Sequence, residues 1–187
     1  SSPPELKPAD AQARVCKYPG ASVNTSAGGP NYLCDSQPIQ PLTKVKADVV
    51  SLIRGMQAKG GTNIMEGIMW GWRVLSPGSP FTEGRPYEDL ENRKVIVLMT
   101  DGSNDHIGLN NMNNSFYSAY GFSAAGRLGT TSSTKAQLVA KMNERTLLAC
   151  TNAKAAGMTI YTVAWFVEDQ TTRNLLAQCA SRPDMAI

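Results

Sequence analysis

Histidine and paired cysteines are scarce in this chain. Its 187 residues include one histidine, His106, and four cysteines, none of which forms a Cys-x-x-Cys pair. The missing pair argues against a zinc site, and a Ser-His-Asp hydrolase would have to use His106. The glycine-rich dinucleotide and phosphate-binding motifs and the G-x-S-x-G nucleophile elbow are also missing, so the sequence signatures of those enzyme classes are lacking.

Charged residues and long apolar runs are equally sparse. Charged residues make up 18% of the chain and the net charge is +3, without a run of lysine and arginine, which argues against nucleic acid as a partner. The longest apolar stretches, 95–99 and 163–167, are far shorter than the ~18 residues of a membrane-spanning helix. The first residues carry no signal-peptide pattern, so we expect that any export signal or membrane anchor has been removed or was never present.

Residues 1–43 are irregular and rich in proline, which is typical of a loop or arm, whereas residues 44–187 have the pattern of a folded domain. Within the second region, apolar residues recur at helical spacing in four places, each preceded by a side chain that can cap a helix. These helical segments begin after Thr43, at Asn63, at Thr134 and at Thr171 or Thr172.

Two apolar runs, 94–100 and 158–166, separate the later helical segments. Neither run alternates between apolar and polar residues, which is typical of strands that are buried on both faces. Helices that alternate with such strands predict an α/β fold of three layers, in which a mostly parallel sheet carries helices on both faces.

Two oxygen-bearing side chains fall where such folds bind ligands, at the carboxyl ends of the strands. Asp101 directly follows the first apolar run, and Thr62 lies in the Gly-Gly-Thr-Asn loop before a helix. A carboxylate and a hydroxyl together suit Mg²⁺ or a similar cation. The alternatives are that Asp101 is a turn residue of an Asp-Gly pair and that Thr62 caps the helix.

A family resemblance rests on these same segments. Gly61-Thr62-Asn63-Ile64 and Thr100-Asp101-Gly102 resemble the second and third metal-site motifs of von Willebrand factor A domains. A more specific likeness covers roughly residues 16–185 and is to TadG-like proteins, which are assembly proteins of bacterial tight-adherence (Flp) pili. It is carried by GTNIMEG at 61–67, WGWRVLSP at 70–77, PFTEG at 80–84, LMTDG at 98–102, TIYTV at 159–163 and QCAS at 178–181.

The resemblance implies a non-enzymatic module that binds a protein partner in pilus biogenesis or adhesion through a metal-ion-dependent adhesion site. Thr62 and Asp101 would be its metal ligands in this chain, and the ion would be Mg²⁺ or another divalent cation. The first metal motif, Asp-x-Ser-x-Ser, is missing. We therefore expect the chain to be the C-terminal part of an A domain, with a site that is empty or weak until another segment completes it, and with its last strand cut at Ile187.

The same resemblance implies a membrane anchor outside this chain and an extracytoplasmic location, in the periplasm or at the cell surface. An oxidising compartment favours disulfides. Four cysteines allow three connectivities, of which the most local joins Cys16 to Cys34 and Cys150 to Cys179. The alternative is four buried thiols.

The segment 103–133 is predicted to be a long insertion beside the metal position. Loops of this length are uncommon and often functional, and Asn and Tyr suit adaptable binding surfaces. An alternative, compatible with binding, is that the aromatic side chains form a small satellite core. The candidate partner-binding residues are Asn104, Phe116, Tyr117, Tyr120 and Phe122.

Two other functions compete with adhesion. The first is a structural module of the pilus apparatus that binds no metal. The second is a hydrolase in which Asp101 and His106 act with a metal-bound water. The scarcity of histidine and the lack of a nucleophile motif argue against the hydrolase.

Overall fold

A computed structural model describes residues 36–57 and 60–187 of the chain. The described residues divide into two compact units, one made of 36–39, 46–57 and 60, and the other of 40–45 and 61–187. The predicted arm at 1–43 and its cysteines, Cys16 and Cys34, lie largely or wholly outside the described residues. The helices are α1 (Lys46–Arg54), α2 (Ile64–Leu75), α3 (Lys135–Ala155) and α4 (Gln170–Cys179); the strands are β1 (Val95–Thr100) and β2 (Thr159–Ala164); short 3₁₀ turns cover Ser123–Ala125 and Pro183–Met185.

The larger unit contains a parallel sheet. β1 and β2 pair in parallel, from Val95 opposite Thr159 to Thr100 opposite Ala164. The other edge of β2 carries a further parallel bridge, in which the Ile187 N–H donates to the Thr162 carbonyl at 2.9 Å. The prediction that helices alternate with parallel strands is therefore confirmed for the described residues.

The core of the larger unit lies between the sheet and three helices. Ile96 and Leu98 of β1 and Ile160 of β2 pack against apolar side chains of α2, α3 and α4. The glycines of α2 face β1, since a methyl group at Gly67 would lie 3.9 Å from Leu98 Cδ1. Gly67 and Gly71 therefore lie on the face of the helix that packs against the strand.

The opposite face of β1 corrects the sequence prediction. Val95, Val97 and Met99 are 44%, 64% and 63% exposed, whereas Ile96 and Leu98 are each 7% exposed. The expectation of a strand buried on both faces is therefore wrong for the described residues. The physical reason is that the packed helices of this unit contact the sheet through one face, so this unit has two layers there instead of three.

A disulfide joins α3 to α4. Cys150 and Cys179 are bonded, and both side chains are fully buried in the core. The predicted pairing of these two residues is confirmed, whereas the pairing of Cys16 with Cys34 lies outside the described residues. In the described part of the chain, helices fall short of the length and apolar character needed to cross a membrane.

Two helix starts are fixed by side chains of the chain itself. Asn63 caps α2 and accepts the Glu66 N–H at 3.3 Å, as predicted. The cap of α4 is Asp169, whose carboxylate accepts the N–H groups of Thr171 and Thr172, so the prediction of a threonine cap is wrong. The carboxylate is the better acceptor because it is charged and faces the positive end of the helix dipole.

Candidate functional site

The turn after β1 presents Asp101 at the carboxyl end of the sheet. The Thr100 hydroxyl donates to the Gly102 carbonyl at 2.8 Å and accepts the Gly102 N–H at 3.2 Å. These two bonds hold the turn without using the Asp101 side chain, which belongs to an exposed residue. Asp101 is therefore positioned by its neighbours, and within residues 36–57 and 60–187 its carboxylate makes no hydrogen bond that would compete with a ligand.

Thr62 lies on a loop that contacts this turn. The Asp105 N–H donates to the Thr62 carbonyl at 2.9 Å, and a methyl group at Gly102 would lie 3.8 Å from Thr62 Oγ1. The cap of α2 is Asn63, so the hydroxyl of Thr62 does not serve as that cap. The two sequence-predicted ligands therefore come from adjoining loops at one edge of the sheet.

Asn104 has a positioning role in this geometry. Its side chain is 2% exposed, and its oxygen accepts the Ile64 N–H at 2.8 Å, the first amide of α2. Its amide nitrogen donates to Asn143 at 2.8 Å and to Thr146 at 3.3 Å, both on α3. The predicted contact residue is thus enclosed, and it ties the loop after β1 to both helices.

A cluster of hydroxyl and carboxylate groups beside the turn was missed in the sequence. The Thr172 hydroxyl lies 2.6 Å from Asp169 Oδ2 and 2.8 Å from Ser103 Oγ. The hydrogen bonds from Thr172, followed by those from Thr171 and Ser103, lower the pKa of Asp169. The cluster fastens the Asp101 turn to the start of α4. The sequence signal for this cluster is an acidic residue shortly before two threonines. That signal led to the prediction that a threonine caps α4, whereas the cap is Asp169.

A cavity of about 540 Å³ opens between this turn, α3 and α4. The Lys135 ammonium lies 2.6 Å from Asp105 Oδ1. This ion pair compensates the negative charge of that buried oxygen. Gly61 lies beside the same carboxylate, since a methyl group there would lie 3.2 Å from Asp105 Oδ2. The Asp105 charge is therefore already engaged by Lys135, whereas Asp101 makes no ion pair among the described residues.

The insertion 103–133 fits both interpretations given for it, a binding surface and a satellite core. Tyr120 packs against a small buried cluster and donates to Asn63 at 3.3 Å, which satisfies the satellite-core alternative. Phe116 and Tyr117 are 54% and 73% exposed, and Tyr117 stacks edge to face on Phe122 at 5.1 Å. The loop therefore anchors itself through one aromatic ring and presents the other three.

His106 is buried in this loop and does not face solvent. It is 5% exposed, and its Nε2 lies 3.2 Å from the Ser118 hydroxyl. Burial lowers the pKa of His106 below 6.5, and the nearby Asp105 carboxylate opposes that effect. These contacts are those of a structural loop histidine.

Lowering the pH from 7.5 to 5.5 is expected to reduce the free energy of unfolding through His106. Below about pH 6.5 the unfolded chain takes up a proton that the folded chain resists, so the unfolded state gains relative stability. Above that pH both forms are neutral, and the loss disappears. Urea unfolding at several pH values measures the slope. His106→Gln should flatten it, and an unchanged slope would contradict this assignment, because the chain has no other histidine.

The described residues do not bring together three His, Cys, Asp or Glu side chains in a metal-binding group. The donors at the Asp101 turn, a carboxylate and a hydroxyl, are nevertheless of the hard oxygen type that Mg²⁺ prefers. Comparison of the chain with protein-family models, with curated proteins and with solved structures gave no match.

Proposed function

We propose that this chain is the C-terminal part of a von Willebrand factor A domain from a TadG-like tight-adherence pilus assembly protein, and that it is a non-enzymatic module that binds a protein partner. Thr62 and Asp101 would hold a divalent cation such as Mg²⁺. When bound, the cation would supply a positive centre for a carboxylate of the partner. The single observation that carries the proposal is the contact between the Thr62 loop and the Asp101 turn.

The open face of β1 supports the A-domain part of the proposal. In the three-layer fold implied by the resemblance, a second layer of helices covers that face, and Val97 and Met99 are the side chains such a layer would bury. β1 is paired through one edge within the described residues, so a strand carrying the missing Asp-x-Ser-x-Ser motif has a place beside it. The carboxyl end of that strand would lie next to Asp101, because the strands are parallel.

The disulfide supports the extracytoplasmic part of the proposal. Structural disulfides persist in oxidising compartments such as the periplasm or the cell surface and are rare in the cytosol. The Cys150–Cys179 bond is enclosed in the core, with both residues at 0% exposure. Its role is therefore structural, which is the kind of disulfide an exported module uses.

The cation site is tested on the full-length natural protein. Calorimetric titration with Mg²⁺, Mn²⁺ and Ca²⁺ should show binding, and Asp101→Ala should weaken it at least tenfold while leaving the unfolding transition unchanged. Glu168→Ala is the matched control, since it removes an exposed carboxylate that follows β2 instead of β1. Binding that survives in Asp101→Ala would refute the metal mechanism.

A second candidate is a structural module of the pilus apparatus that binds no metal. It is favoured by the small donor set, because Thr62 and Asp101 supply two of the roughly six ligands that such a cation requires. The same titration separates the candidates. If the full-length protein gives no heat with any of the three cations, the structural module is the better description.

A further inference from the structure

We propose that a groove between α2, α3 and the 103–133 loop is a second binding site, which takes an acidic peptide segment carrying apolar side chains. The groove has a volume of about 300 Å³, and its lining residues do not include Thr62 or Asp101. Its walls bring together Arg73 of α2, Arg127 of the loop and Arg145 of α3. Three guanidinium groups from three separate elements thus line one depression.

The charge of the groove is uncompensated. Glu66 is the one acidic residue among its lining residues, so three arginines against one glutamate leave a net charge of +2. In the part of the chain that the structure describes, the ion pairs use other basic residues: Arg85, Lys135, Lys141 and Arg182. An arginine offers five N–H donors in a planar fork that suits carboxylates. The groove therefore fits a ligand with about two negative charges.

Arg73 is held in place without losing its charge. Its guanidinium lies over the Trp70 ring, 4.5 Å from the ring centroid. This stacking positions one of the three cations, which lowers the entropy lost when an anion binds.

Most of the remaining lining is apolar, with Asn152 and the hydroxyl of Tyr120 as its polar groups, and this selects a peptide over a simple anion. Met65 and Met69 of α2 lie in the groove, together with Leu148, which is 51% exposed. Methionine surfaces adapt to varied side chains, and an exposed leucine gains by being covered. A nucleic acid is disfavoured because the net charge of +3 is low and basic runs are missing. A carboxylate-bearing peptide with leucine-sized side chains satisfies both parts of the lining.

The test is fluorescence anisotropy with a labelled peptide of alternating glutamate and leucine residues, in buffer containing EDTA. Arg127→Gln and Arg145→Gln should each weaken binding at least threefold, and the double variant at least tenfold. Arg93→Gln is the matched control, because it removes an exposed arginine outside the groove. Leu148→Ser should also weaken binding, since that side chain is already half exposed and its loss leaves the core intact.

Four outcomes would overturn the proposal. They are equal binding of the glutamine-leucine peptide, an equal loss in Arg93→Gln, competition by inorganic phosphate at the same concentration as the peptide, and binding of phosphatidylglycerol vesicles in place of the peptide. Because EDTA removes divalent cations, peptide binding in this buffer is independent of the Thr62 and Asp101 site. Failure here would leave the proposed cation site untouched, and the reverse also holds.

Discussion

Replacing both Cys150 and Cys179 with alanine is expected to lower the free energy of unfolding by about 3–4 kcal/mol. The two residues are 29 positions apart, so the bond closes a loop of moderate length in the unfolded chain and removes many of its conformations. Both sulfurs are also buried between α3 and α4, where alanine leaves unfilled space. Denaturation in urea under oxidising conditions measures the difference.

The reduced natural protein is the control for this prediction. A reductant should destabilise the natural chain by more than the double-alanine variant, since Cys16 and Cys34 are retained in both proteins and the effect of reducing them cancels in the comparison. If the two proteins unfold at the same urea concentration before reduction, the bond contributes nothing and the prediction is wrong.

Asn104→Ala is expected to cost about 2–4 kcal/mol of unfolding free energy, because it removes hydrogen bonds from buried polar partners. The substitution removes the acceptor for the Ile64 N–H and the donor to Asn143 and Thr146. The Ile64 N–H is the costliest loss because Ile64 is 3% exposed, whereas the Thr146 hydroxyl keeps its bond to the Met142 carbonyl. Chemical denaturation again gives the value.

Asn110→Ala is the matched control for Asn104, because it deletes the same side chain from an exposed position in the same loop. Its effect should be within about 0.5 kcal/mol, as for surface changes in general. An equal loss of unfolding free energy in the two variants would show that the effect of removing an asparagine from this loop does not depend on its burial. That result would contradict the positioning role of Asn104.

Local sequence features predicted where helices and strands lie better than they predicted what surrounds each of them in the fold. The cap at Asn63, the strand ending before Asp101 and the helix starting at Thr134 follow from side chains next to each other in the chain, and the structure has α2, β1 and α3 there.

Features that depend on distant partners were not predictable. On the open face of β1, positions such as Val97 and Met99 are occupied by apolar residues. The pattern of the strand therefore gives no sign that this face is exposed. Asn104 looked like a contact residue because its partners lie about forty positions away in the sequence, on either side. The arginine groove likewise joins residues of three elements, which no local pattern connects.

The parallel pairing of β1 with β2 has a consequence for synthesis. Val95 pairs with Thr159, and all of α3 lies between them. A parallel strand cannot find its neighbour through a tight hairpin, so β1 leaves the ribosome long before its partner exists. During that interval the edge of β1 that later pairs with β2 has no partner strand. Contacts between such distant segments also form slowly. The sheet of this unit therefore forms only after the chain has been made as far as Ala164.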